Sequence, residues 1–505
     1  MNKKNMIRMM RNLFIVCGFL LIEILGVRMY AAQATYDDVE IAKLRKFLMQ
    51  ESAEPGIANY QQLGLTSMEN IDWGAVKGLH HNSLTFYFDE IRWFSLNLSG
   101  HIDLSDFKGL QYVHLHFNDI KSINVTNCPL LDWLDLYTND LTEIDVSTNP
   151  SLTHLRLGYN NISTLDLSNN PLLDFLCCTS NLLETLDVSG KNYLCTLYCV
   201  GNHLNTLLVD NCTGLETFLC DFNRLESLHV NDLPSLKIFS CSGNGMKNIQ
   251  LTNCVSLEEI NCSNNEISDL DFSNCEYLYS IDCSKNNLSS LNLKGCTSLS
   301  SLFCDYNMLS SLNITDSPLL STLSCRNNYL TFLTLPLPSE DFTTYNYWPQ
   351  EYVAIECEHD NVDFTDIYRI SDNITRFVWK YRYTTISPLE NNEGLFAFDE
   401  SYIGETIICE VLNDVLPKLV MHFDVTFTGG ETGNVNPEKR KPAVYASGQT
   451  IHVITDSPAT VSIYSLQGML IMKKKVEAGD TDFQIERGLY VAIVNDKSRY
   501  KLIVR

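Results

Sequence analysis

Between residues 113 and 328 the apolar positions keep one phase, and an asparagine marks it every 21 residues, from Asn118 and Asn139 to Asn307 and Asn328. The residue five places before each Asn is always apolar, as in Val113, Leu134, Phe218, Ile260 and Leu323. Three places before it stands Leu115, Leu136 or Leu157, and then Cys178, Cys199, Cys220, Cys241, Cys262, Cys283, Cys304 and Cys325. A second apolar pair follows the Asn, as in Ile123 with Val125 or Leu165 with Leu167. Each unit therefore predicts one alternating strand, a turn at the Asn, and a second short extended segment. Neither half can bury its apolar face alone, so the units must stack in register. Two extended halves leave no room for a helix in 21 residues, so the far side of each coil is expected to be extended or turn-like. At ~4.8 Å per parallel strand, about eleven coils make a ribbon roughly 50 Å along its axis.

An Asn repeated in this way is expected to bond the backbone of its own turn, forming a ladder along the stack. One such backbone group left buried and unpaired costs on the order of 1–3 kcal/mol. Pro129, Pro150, Pro171, Pro234 and Pro318 fall at the end of the second segment, where a missing donor is tolerated. From Leu173 to Ser189 the unit resembles the short bacterial leucine-rich repeats, Leu-x-x-Leu-x-Cys-x-x-Asn-x-Leu-x-x-Leu-Asp-Leu-Ser. The resemblance implies a mainly β fold: a solenoid of parallel strands with a helical N-terminal cap, followed here by two β-sandwich modules.

The flanks supply the caps and those modules. Residues 37–51 read as an amphipathic helix, with Asp37 and Asp38 as caps and Ile41, Leu44 and Leu48 on one face. Leu63-Gly64-Leu65, Trp73 and Gly78-Leu79 follow, leading into a strand-like stretch from Ser83 to Ser99. This lead-in resembles the N-terminal caps of extracellular leucine-rich-repeat proteins. After Leu335 the phase is lost, and Pro336, Pro338 and Pro349 bracket a cap or linker. Short strands then follow: Tyr352 to Glu358, Ile374 to Tyr383, Gly394 to Phe398, Thr406 to Val411 and Lys418 to Thr428. The order Cys357, Trp379, Cys409 resembles an immunoglobulin-type sandwich, although Ile407 stands where the family's corner tyrosine would be. That resemblance, with export, makes Cys357–Cys409 the expected disulfide. Strands are also expected at Val444 to Val453, Ala459 to Tyr464, Met469 to Val476, Phe483 to Glu486, Leu489 to Val494 and Tyr500 to Val504. Val461 to Gly468, Arg487 to Val491 and Lys501 to Arg505 resemble the C-terminal sorting domains of Bacteroidetes outer-membrane export, which direct secretion and often surface attachment.

Charge and cysteine content narrow the setting. With 61 acidic and 36 basic side chains the net charge is -25, which argues against nucleic acid or anionic lipid as partner. Lys3, Lys4, Arg8 and Arg11 precede an apolar run from Leu13 to Val27 and small residues at 32–34, the signature of a signal peptide. The run is short for a ~20-residue span and Glu23 interrupts it, so the mature chain is expected to be exported without a transmembrane segment. Eighteen cysteines in an exported protein suggest disulfides. The eight-member row, however, occupies an inward position equivalent to Leu, where Cys serves as a small buried hydrophobe. Reduced core thiols are therefore expected there, although strand spacing would permit bridges. Cys128, Cys212, Cys254, Cys275 and Cys296 form a second, sparser row. The expected organisation is a signal peptide over 1–34, a cap over 35–100, the solenoid over 101–335, a C-terminal cap or linker over 336–349, an Ig-like sandwich over 350–430, a linker over 431–438 and a sorting-like sandwich over 439–505.

Function is expected where the pattern is broken. The concave face should display the residues six, four and two places before each Asn. Early coils place there Tyr112, His114, His116, Trp133, Asp135, Tyr137, His154, Arg156, Phe175 and Tyr198. Later coils show short polar residues such as Ser240, Ser280, Ser301 and Thr322. Aromatic and Arg side chains make binding hot spots, so a ligand is expected over the first four or five coils. His114, His116 and His154 raise the question of a metal or a general base. His154 lies two coils away, roughly 10 Å, too far for one ion, and no poised nucleophile accompanies the group. Neither a metalloprotease helix nor a phosphate loop nor a dinucleotide fingerprint occurs. No catalytic residue, metal or cofactor is therefore expected. Resemblance to internalin-type surface proteins implies recognition or adhesion to a host or bacterial surface protein. Aromatic rings beside Arg and Asp would also suit a glycan or envelope polymer, and a purely structural surface role is the third reading.

Overall fold

The computed structural model describes residues 36–428 apart from 84, 86, 274 and 359, and most of 443–504 apart from 448–449, 456–457, 466–469, 478, 486–487 and 495–497. The signal peptide, the linker expected over 431–438 and parts of the sorting motif lie outside the described residues. The chain forms two compact units, Met1–Asn261 and Cys262–Arg505.

The first unit opens on the helix Asp38–Leu48, capped by Asp37, whose carboxylate accepts from the Val39 and Glu40 amides. Acidic residues occupy its first turn and Arg45 and Lys46 its last, matching the helix dipole. Its buried Leu44, Phe47 and Leu48 cap the stack, with Phe47 6.3 Å from the buried Trp93 ring. The stretch expected as one strand over 83–99 is instead divided. Leu79–His81 and Phe88–Arg92 form a hairpin, and Ser99–Asp103 pairs with Asp119–Asn124 on the far side.

Phe88–Arg92 then runs parallel to Tyr112–His114. From there Trp133–Asp135, His154–Arg156, Phe175–Cys177, Thr196–Tyr198, Thr217–Leu219, Ile238–Ser240 and Glu259–Asn261 each pair in parallel with the next, always in a 21-residue step. Leu134, Leu155, Leu176 and Leu197 at the strand centres are fully buried, and of the residues beside them only Asp135 and Cys177 are buried as well. The far side is mostly turns, with a short parallel pair at Thr185–Asp187 and Thr206–Leu208.

The Asn ladder does more than close its own turn. Asn181 Nδ2 donates to Cys178 O in its own coil (3.1 Å) and to Leu157 O in the coil before (2.9 Å), and its Oδ1 accepts from Ile162 N (3.0 Å). Asn139, Asn160, Asn202 and Asn223 repeat this pattern. Two of the three partners belong to the neighbouring coil, so the side chain rivets coils together. An amide offers two N–H donors on one atom and an acceptor on the other, which a hydroxyl or a carboxylate of this size does not. The residue before each Asn adopts a left-handed backbone, from Phe117 (φ 56°) through Ser180 (φ 52°) and Gly201 (φ 65°) to Phe222 (φ 53°). For a bulky side chain this conformation is strained.

The second cysteine row is one part of a fuller row of donors. Cys128 Sγ and Cys212 Sγ each lie 3.0 Å from the carbonyl 24 residues earlier. Asn149, Asn170 and Lys191 occupy the intervening coils and donate to the equivalent carbonyls at 2.9, 3.0 and 2.8 Å. Thiol, amide and ammonium share only a donating hydrogen, which is what this inward position requires.

Glu40 is a buried acid in the cap, 2% exposed. One oxygen accepts from Phe88 N at 3.3 Å and the other has no partner. Burial pushes its carboxyl up from 4.5 to about 7. A folded-state value above the unfolded one means that the folded chain holds the extra proton between these values. Stability is then lost as pH rises from 4.5 to 7, by on the order of 3 kcal/mol. Glu40→Gln should flatten this pH dependence and be more stable than the wild type at pH above 7. Unfolding in urea across that range checks it, and an unchanged slope would refute it.

In the second unit Ser280–Asp282, Ser301–Phe303 and Thr322–Ser324 continue the same parallel register. The expectation that the phase ends at Leu335 needs correction. Thr344–Asn346 adds one further strand in register with Thr322–Ser324, by a 22-residue step. Gln350 takes the place of the Asn: Nε2 donates to Cys325 O (2.9 Å) and Oε1 accepts from Asn328 N and Leu330 N, both at 3.2 Å. The longer side chain absorbs the extra residue.

Next comes a five-stranded sheet in the order Thr384–Ile386, Arg376–Tyr381, Thr406–Leu412, Val420–Thr428, Val353–Glu358. A three-stranded sheet, Asn361–Asp363, Leu395–Ala397 and Glu390–Asn392, accompanies it. Trp379 from the first sheet packs on Phe396 and Phe398 from the second segment, with ring centroids 5.1 and 4.7 Å apart.

The expected Cys357–Cys409 disulfide is overturned. Both residues are thiols and both lie in the five-stranded sheet, not in facing sheets. Cys357 is opposite Phe427 and Cys409 opposite Phe423 on the strand between them. Two strand spacings and a four-residue offset separate their Cα atoms by roughly 16 Å, against a limit of about 7 Å for a bridge. The remaining strands form sheets of three (Ala443–Ser447, Thr450–Thr455, Gly479–Gln484) and four (Leu470–Val476, Ala459–Ser465, Gly488–Val494, Ser498–Val504). The strand expected from Val444 to Val453 is thus a hairpin. Ile451, Val453, Val461, Ile463 and Phe483 are buried in their shared core.

Candidate functional site

On the outward strand face of the first unit, the 21-residue register places side chains in columns. Tyr112, Trp133, His154 and Phe175 are successive neighbours in one column, and His114, Asp135, Arg156 and Cys177 in the next. A third holds His116 and Tyr137. Strand neighbours stand ~4.8 Å apart, near enough for aromatic residues at one repeat position to touch.

They do touch. The Trp133 and His154 rings stack at 4.2 Å and 11°, His154 and Phe175 at 5.9 Å and 9°, and Phe175 meets Tyr198 edge-on at 5.7 Å. His114 lies tilted against Trp133 at 6.0 Å. A second chain of rings runs beside the first: Phe94 stacks on His116 (4.6 Å), followed by edge contacts to Phe117, Tyr137 and Tyr159. The Arg156 guanidinium sits 5.3 Å from the Tyr137 ring centroid. Gly158 makes room for that ring, since a Cβ there would stand 2.7 Å from Tyr137 Cε2.

Between the aromatic columns lies a polar cluster. Asp135, named from the sequence as a surface contact, is 1% exposed. Its Oδ2 is 3.0 Å from Arg156 Nη1 and 3.1 Å from His116 Nδ1, and its Oδ1 accepts from Tyr137 N (3.2 Å). It therefore positions its neighbours and does not itself present a contact. The His116 approach is close in distance but not aligned as a hydrogen bond, and Nδ1 is left buried without one. Glu90, paired with Arg92, stands 3.7 Å from His114 Nε2. Burial holds His114 below the ordinary histidine range, against the pull of Asp135 and Glu90, which favours its neutral form. Ligand atoms of His114, His116 and Asp135 all lie within 4.8 Å of one another. His154, which shares the face with both histidines, is not a member of this group. The structure brings in Asp135 from the adjacent coil instead, and sets His154 in the ring column.

Phe94, Phe117 and Tyr159 escaped the sequence reading. Phe117 and Tyr159 occupy the left-handed position just before the Asn and are each 52% exposed. The signal was available. Other coils place Ser180, Gly201, Gly243 or Asn264 there, but Phe222 and Tyr306 are aromatic too, so the signal is an aromatic at this strained position combined with aromatics on the adjoining strand.

The family model described as Leucine Rich repeats (2 copies) matches residues 234–275. No curated protein matches the chain significantly. Among solved structures, the functional domain of InlJ from Listeria monocytogenes, described as including a cysteine ladder, is 19% identical, covering 67% of this chain and 93% of its own at a TM-score of 0.38. The leucine-rich effector YopM from Yersinia pestis is 23% identical over 47% of this chain and 72% of its own, with a TM-score of 0.39. A leucine-rich-repeat protein of Leptospira interrogans is 20% identical over 47% and 86%, with a TM-score of 0.36. Among the described residues no helix is long and apolar enough to cross a membrane. The matched family model identifies residues 234–275 as leucine-rich repeats, and the other coils described share their 21-residue parallel step.

Proposed function

We propose that this is a non-catalytic recognition or adhesion protein, exported to the cell surface or beyond, and that the early-coil strand face binds a protein partner. Leucine-rich-repeat solenoids are typically protein-interaction modules. The observation that carries the reading is the pair of touching aromatic chains flanking Asp135, Arg156 and His116. These rings are half-buried and held by one another, so little side-chain freedom is lost on binding. Tyr, Trp and Arg are also the residues that dominate binding hot spots.

A protein partner suits this surface better than a glycan. Sugars stack on open ring faces, whereas Trp133, His154 and Phe175 turn their faces to one another and leave mainly edges outward. The partner is a host or bacterial surface protein. The segment after residue 439 is proposed to direct export and attachment.

The purified chain should be screened in parallel against surface-protein and glycan arrays. For a protein hit, Trp133→Ala combined with Tyr137→Ala should weaken binding by at least about 30-fold, the loss of one hot spot of ~2 kcal/mol. Ser280→Ala and Ser301→Ala, on the face of later coils, should leave it unchanged. Equal binding by the double variant would overturn the assignment of the face. Hits confined to glycans would transfer the site to the second reading.

A further inference from the structure

We propose that His114, His116 and Asp135 form a binding site for one divalent transition-metal ion of the zinc class. The strand pairing builds the group. His114 and Asp135 are directly opposed across adjacent parallel strands, and His116 follows His114 by two residues, on the same face. Their ligand atoms already lie within 4.8 Å of one another, and His116 Nδ1 and Asp135 Oδ2 are 3.1 Å apart. Zinc bound at about 2.0–2.1 Å in a tetrahedron spaces its ligands by about 3.3 Å, so small side-chain rotations suffice.

A second observation points the same way. His116 Nδ1 is buried and makes no hydrogen bond, although it faces a carboxylate. An ion between the two atoms would satisfy both. The surroundings are those of a supported site: Phe94 stacks on His116 at 4.6 Å, Trp133 lies against His114, and Glu90 stands 3.7 Å from His114 Nε2. Arg156 also contacts Asp135 Oδ2, and a carboxylate oxygen has lone pairs enough for a metal and one donor. Two imidazoles and one carboxylate leave a fourth position for water or for a partner's carboxylate. The proposal does not depend on any partner being found.

The test uses the full chain, stripped with a chelator and titrated with Zn2+ alone, with bound metal counted by mass spectrometry. One ion per chain is expected. His114→Ala, His116→Ala and the near-isosteric Asp135→Asn should each weaken binding by at least about tenfold, whereas His154→Ala should not. Circular dichroism confirms that each variant is folded. Co2+ in place of Zn2+ should give visible bands without thiolate charge transfer, which separates this site from the cysteine rows. Absence of binding, retained affinity in all three variants, or a thiolate–cobalt band would each overturn the proposal.

Discussion

Asn181→Ala is expected to destabilise the first unit by on the order of 2–4 kcal/mol, although it removes only a carboxamide. The substitution orphans Ile162 N in a stack where Asn181 is 4% exposed, and strips one of two donors from Leu157 O and Cys178 O, which keep Asn160 Nδ2 and Asn202 Nδ2. The orphaned amide costs on the order of 1–3 kcal/mol and each lost hydrogen bond about 0.5–1.5 kcal/mol, partly recovered where the coil relaxes or admits water. Because two of the three partners are in the preceding coil, the damage is expected at the junction between coils. Hydrogen exchange should show lost protection from Leu157 to Asn181, and the urea midpoint should fall. Asn161→Ala, at the exposed neighbouring position, should change stability by no more than about 0.5 kcal/mol. A similar small effect for both variants would mean that the ladder is not what couples the coils.

The second large effect concerns the thiols. In native protein at pH 8, ladder cysteines should react with iodoacetamide at least about 1,000-fold more slowly than in denaturant. The thiolate is the nucleophile. Burial pushes Cys262 from 9.0 to about 12 and raises Cys220, Cys283 and Cys304 well above the ordinary value. An unperturbed thiol is roughly a quarter ionised at pH 8, while one near 12 is ionised to about one part in ten thousand. Cys195 and Cys357, which are only partly buried, should label first. The mass of the unreduced protein should correspond to thiols at every described cysteine. Bridged rungs or rapid labelling of the ladder would show that the row is not a packed, reduced core.

The sequence carried the repeat because its rule is local and identical in every coil. Val113, Leu134 and Leu155 recur at the inward strand position, and each is fully buried. The inward Cys row was legible for the same reason. Where one residue type substituted for another by a shared physical property, the pattern was hidden. Lys191 and Asn170 do not resemble Cys212 in a sequence, yet all three donate to a carbonyl 24 residues earlier. Gln350 was hidden by one inserted residue. Cys357 and Cys409 misled because spacing in the chain does not say which sheet a strand joins.

The candidate face was legible as a set of positions but not as an arrangement. Period two along a strand is enough to send His114, His116 and Tyr137 outward. It does not say that Asp135 is drawn under them by Arg156 and His116, or that Trp133 spends its ring face on His154. The sequence by itself determined the coil, its inward rows and the side of the ribbon on which function is sought, because those depend on backbone repeat and hydrophobic burial. Tertiary structure alone decided which outward residues stay exposed, which are buried beneath them, and that three of them converge. Those outcomes depend on side-chain packing between residues 21 apart in the chain.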